Sequence, residues 1–67
     1  MLIDIILEAS NDNESVTYTN VNLTDIYIYD NEIEIEAKTN KNGLTINHNF
    51  KLNADYLKKH LLTIRVK

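Results

Sequence analysis

Glu32, Glu34 and Glu36 stand at every second position, and carboxylates are the groups in this 67-residue chain best suited to moving a proton. Two carboxyl groups flanking a scissile bond can act as general acid and general base, as in glycoside hydrolysis. Alternate positions of a strand point the same way, so these three line one face and do not oppose each other across a substrate. Other reactive types are scarce. Cysteine is absent, His48 and His60 are the only histidines, and no serine or threonine has a histidine beside it. A zinc site on those histidines would need two further ligands that no spacing points to. A single glycine, Gly43, does not build a phosphate-cradling loop. The residues therefore predict a protein that is not an enzyme and carries neither metal nor cofactor. His48, between Ile46 and Phe50, is expected to be a structural histidine on a core face. His60 near a helix end suits a favourable contact with the helix dipole.

Recognition chemistry is better represented. In "DIYIYDNEIEIEAK", residues 25–38, Tyr27 and Tyr29 alternate with Ile26 and Ile28, and the three glutamates alternate with Ile33 and Ile35. Tyrosine offers a large contact area at small entropic cost and is enriched at interfaces. Tyr27, Tyr29, Glu32, Glu34 and Glu36 thus predict an acidic, aromatic surface for a protein partner with a basic surface. Such a surface suits an inhibitor or accessory subunit, including one that mimics the charge of DNA. A plain solvent-facing strand is the simpler alternative. A nucleic-acid reading would use a C-terminal basic patch of Lys58, Lys59, Arg65 and Lys67, but phosphates would be repelled by the glutamate face. Self-assembly through an exposed Ile6 and the edge of the strand at 16–23 is a third possibility.

Charge is divided along the chain. Residues 1–37 hold nine acids and no base, hence −9; residues 38–67 hold seven bases and one acid, Asp55, hence +6. Interleaving of the two halves in space would neutralise much of this. The N-terminal apolar run is broken by Asp4 and is too short for a membrane span or a signal core. That run and the lack of cysteine together predict a cytoplasmic protein. Abundant asparagine and isoleucine suggest an AT-rich coding source, such as a low-GC bacterium, its phages or mobile elements.

Positioning these groups requires strands. One small domain over residues 1–67 is expected, with a core that no disulfide reinforces. Residues 2–9 alternate as a strand with Ile3, Ile5 and Leu7 inward. A polar loop at Ser10–Ser15 loosely resembles a calcium loop but lacks its glycine and distal glutamate. Residues 16–29 are β-branched and aromatic, yet Val21 and Leu23 are odd-numbered while Ile26 and Ile28 are even-numbered. A bulge near Thr24-Asp25 repairs that phase. A turn at Asp30-Asn31 then pairs Ile28 with Ile33, Ile26 with Ile35, Tyr29 with Glu32 and Tyr27 with Glu34, with the isoleucine side as core.

Beyond it, a turn at "KTNKNG" would pair Ala37 with Leu44, Ile35 with Ile46 and Ile33 with His48. The glutamates then face Thr45, Asn47 and Asn49, with no lysine across from them. Asn53 is a helix cap for roughly residues 54–61, with Ala54, Leu57 and Leu61 on one face. Residues 62–67 form a last strand with Leu62, Ile64 and Val66 inward, pairing Val66 with Ile5 and Ile64 with Leu7 and bringing Lys67 to Asp4. This order predicts an all-β fold, a small five-stranded SH3-like barrel or meander with one short helix before the last strand. The alternative is an α+β arrangement, an open antiparallel sheet with the helix packed on it.

Overall fold

The computed structural model describes residues 1–10 and 14–67. The strands are β1 (Leu2–Ala9), β2 (Ser15–Ile28), β3 (Glu32–Lys41), β4 (Leu44–Asn53) and β5 (His60–Val66), with helix α1 (Ala54–Lys59) before the last. They form one antiparallel sheet in the order β4-β3-β2-β1-β5. The sheet is open, the second of the two expected arrangements, because β4 and β5 lie at opposite ends and do not pair to close a barrel. Part of the polar loop read as a weak calcium motif falls outside the described residues.

The sheet bends because β2 carries two extra residues. Ile3 pairs with Val21 but Ile5 with Tyr18, and Leu23 pairs with Ala37 but Asp25 with Glu36. An unmatched residue in one strand bends it and resets which side chains point inward. The second bulge, at Thr24, is the one the phase of Val21/Leu23 against Ile26/Ile28 predicts. The first was not anticipated. At it, Asn20 adopts a left-handed φ of 55°, a conformation asparagine tolerates better than most residues. Its N–H donates to Asp4 Oδ1 at 3.0 Å. Lys67 Nζ lies 3.3 Å from the same oxygen. Asp4, expected to face solvent, is instead only 5% exposed; the bulge donor and the lysine supply the partners a buried carboxylate requires.

The bends bring distant strands together. In a flat sheet, β2 and β4 would lie roughly 9.5 Å apart. Yet the Tyr18 and Phe50 rings meet edge-on with centroids 4.9 Å apart. Ile3, Ile5, Val21, Ile35, Ala37 and Leu52 form the buried centre, joined by half-buried Leu7, Leu23, Ile33, Leu62, Ile64 and the α1 residues Tyr56 and Leu57. His48 lies on this inner face as expected, half-buried, with Nε2 2.8 Å from Thr39 Oγ1. The isoleucine side of β2 is less buried than expected. Ile26 is partly exposed and Ile28 is 78% exposed.

The β3–β4 hairpin is longer than expected. Asn42 (φ 53°) and Gly43 (φ 79°) form its turn alone, with Lys41 paired to Leu44. Two successive left-handed residues match the turn that continues the natural strand twist, and Asn-Gly is the preferred sequence for it. Ala37 therefore faces His48, Ile35 faces Phe50 and Ile33 faces Leu52. All three partners lie four residues beyond those expected, and the inward face is preserved. A Cβ on Gly43 would meet nothing within 4 Å, so the cost of Gly43→Ala is conformational alone. It should lower stability by about 1 kcal/mol, read as a lower urea midpoint with unchanged slope.

The helix begins as predicted, with Asn53 Oδ1 accepting the Tyr56 N–H at 2.8 Å. It stops sooner, at Lys59, because His60 is already extended (φ −136°). Leu61 consequently belongs to β5 and faces solvent, and Val66 at the far end of β5 is exposed as well. Strand β5 pairs Ile3 with Val66, Ile5 with Ile64 and Leu7 with Leu62. This register is two residues from the one expected, so the inward face is again kept. Ile6, proposed as an exposed assembly residue, is half-buried between Thr17 and Thr63.

Candidate functional site: the outer face of the central hairpin

The β2–β3 register is the predicted one. Ile28 pairs with Ile33, Tyr27 with Glu34 and Ile26 with Ile35, while the Tyr29 N–H donates to the Glu32 carbonyl at 2.8 Å. This places Tyr27 and Tyr29 with Glu32, Glu34 and Glu36 on the face away from the core. The two tyrosine rings are nearly parallel, inclined by 18° with centroids 6.5 Å apart. Both are exposed, whereas the three glutamates are half-buried. The aromatic pair stands proud of a recessed carboxylate row.

Asp25 organises this face from the bulge. Its Oδ1 accepts the Ile26 N–H and its Oδ2 accepts the Tyr27 hydroxyl, each at 3.0 Å. The hydrogen bond to Asp25 is the first cause holding the Tyr27 phenol above its usual range, followed by the charges of Asp25 and Glu36. Tyr27 therefore remains a neutral donor throughout the physiological range. Sequence reading singled out the two rings but not the aspartate that fixes one of them. The signal was present: Asp25 and Tyr27 share a face at a spacing of two.

The long β3–β4 hairpin alters the electrostatics. Glu34 faces Lys51, Glu36 faces Asn49 and Glu32 faces Asn53. The expectation that no lysine would lie opposite the row is thus overturned, because the turn sits at Asn42-Gly43 and slides β4 by four residues. Asn49 Nδ2 also donates to Glu34 Oε1 at 3.1 Å. Lys38 ends the row on the same strand. The face still carries four carboxylates, counting Asp25, against these two lysines. Beside it, where the Thr24 bulge opens the sheet, a shallow pocket of about 240 Å³ is bordered by Thr24, Glu36, Lys38, Asn47 and Asn49.

The alternative basic patch is not brought together. Lys58 and Lys59 lie on α1, while Arg65 and Lys67 lie at the opposite end of β5, roughly 20 Å along an extended strand. Lys67 is engaged with Asp4, and Arg65 stands directly opposite that residue. His60 stacks on Tyr56 with centroids 3.8 Å apart, and its Nδ1–H donates to the Tyr56 carbonyl at 3.0 Å. Among the described residues no three His, Asp or Glu side chains converge as a metal cluster would require. No helix among the described residues is long and apolar enough to cross a membrane. Comparison with protein families, curated proteins and solved structures finds no match for this chain.

Proposed function

We propose that this chain is a non-enzymatic interaction module that docks a basic protein surface on the outer face of the β2–β3 hairpin. The single observation carrying this reading is the pair of parallel, exposed tyrosine rings, one pinned by Asp25, set above half-buried carboxylates. Rigid aromatics lose little freedom on binding, and recessed charge steers encounter more than it adds affinity. The dispersal of the basic residues gives the nucleic-acid reading no comparable site. A role as a small cytoplasmic inhibitor or accessory subunit, encoded by a phage or mobile element, follows from the size, the acidic face and the composition. In its narrowest form the carboxylate row occupies a groove that otherwise holds nucleic-acid phosphates.

The test is capture of binding proteins from cells of the source organism, then affinity measurement on the protein found. Tyr27→Ala with Tyr29→Ala should weaken binding at least ~30-fold, the range of an interface hot spot. The circular dichroism spectrum should not change, because both rings are outside the core. Glu32, Glu34 and Glu36 changed together to Gln should slow association and reduce its salt dependence. Undiminished binding by the double tyrosine variant would overturn the proposal.

A further inference from the structure

The ends of the strand order leave two free edges, and they differ; residues 15–21 of β2 also pair on one side alone, with β1, but that stretch is broken by the bulge at Asn20. On β5, the edge is flanked by α1 at one end and carries Arg65, with Lys67 just beyond. Charged side chains are among the devices by which proteins keep an edge from pairing. On β4, residues 44–50 ("LTINHNF") form a regular run of seven without proline, bulge or lysine. On its inner side Leu44 is 70% and Ile46 is 45% exposed. No described strand lies beyond it.

From this edge we infer that the chain forms a two-fold dimer by antiparallel pairing of β4 with β4 of a second copy, centred on Asn47. The occupant is argued from self-complementarity. The uncharged run 44–50 has Asn47 at its middle, so a two-fold axis there pairs the run wholly with itself. Leu44 then meets Phe50 and Ile46 meets His48 on the inner face. Thr45 meets Asn49 and Asn47 meets its own counterpart on the outer face. Apolar thus lies beside apolar and polar beside polar. A register that differs by one residue would mix the two faces. The nearest charge on β4 itself, Lys51, falls opposite Gly43, and the two copies of Lys51 stand roughly 26 Å apart along the strands. An interface related by two-fold symmetry must be self-complementary in this way. This edge is distinct from the tyrosine face of β2–β3, and the inference does not rest on the function proposed above.

Asn47→Glu tests it. In the single copy Asn47 is exposed and lies opposite Lys38, so a glutamate there gains an opposite charge. Across the axis the same change sets like charges against each other. Wild-type protein should double from 7.8 kDa with rising concentration in light scattering. Its amide protons in residues 44–50 should slow in exchange over the same range. N47E should dimerise at least ~10-fold more weakly while melting no lower than the wild-type monomer. The Tyr27/Tyr29 double variant should dimerise normally. A wild-type protein that stays monomeric at millimolar concentration overturns the inference, as does protection of residues 44–50 that appears only when another protein is added. An N47E variant that dimerises as well as wild type also refutes it.

Discussion

Ile35→Ala is expected to lower stability by about 2–5 kcal/mol, while Ile28→Ala changes it by no more than about 0.5 kcal/mol. Both residues are isoleucines on the same side of one hairpin, and alternation alone ranks them equally. Ile35 is fully buried between Ile26 and Phe50. Ile28 is largely exposed. A domain of this length holds roughly 3–10 kcal/mol in total, so the Ile35 variant should lose a large share of its stability. Urea titrations followed by circular dichroism would separate the two. Equal losses would mean that the sheet does not bend over Ile35 as described.

Asp4→Asn should flatten the acid side of the stability curve. The N–H of Asn20, and then Lys67 and Arg65, hold the Asp4 carboxyl below its ordinary 3.8, against an opposing push from burial. A carboxyl lowered in the folded state stabilises that state above its unfolded value and loses the contribution as pH falls through the folded value. Wild type should therefore be the more stable form at neutral pH, and its advantage over Asp4→Asn should disappear below about 3.8. The carboxamide retains an oxygen that can accept from Asn20, so the bulge keeps its hydrogen bond and only the charge is removed. Melting temperatures of the two proteins across this range would decide the matter; parallel curves would show that the Asp4 charge does not contribute to stability.

The hairpin at residues 25–36 was legible because two independent alternations, isoleucine on one side and tyrosine with glutamate on the other, agree on a single register. The next hairpin was not. Thr39, Asn40 and Lys41 are polar and read as loop, whereas the structure keeps them as strand through backbone pairing across an Asn-Gly turn, without requiring burial. Weighing that dipeptide above the polarity of its neighbours would have revealed the turn and the position of Lys51. The bulge at Asn20 left a trace as well. Val16 and Tyr18 are even-numbered while Val21 and Leu23 are odd-numbered, the same kind of phase change that exposed the bulge at Thr24. Asp4 had no such trace. A lone acid between isoleucines follows ordinary strand alternation, and its burial depends on a backbone donor from another strand. The exposure of Ile28 and Val66 was equally hidden, because it depends on where other elements stop.

The paired bulges give β2 an unusual sensitivity to length. Each one resets the in-and-out reading frame of the strand, once before Val21 and again before Ile26. Substitutions along it leave that frame intact. Loss or gain of one residue between the two would instead turn Tyr27 and Tyr29 into the interior and deliver Ile26 and Ile28 to the carboxylate face. Sequence drift in this segment is therefore expected to proceed by exchange of residues at constant spacing, with insertions and deletions confined to the turns.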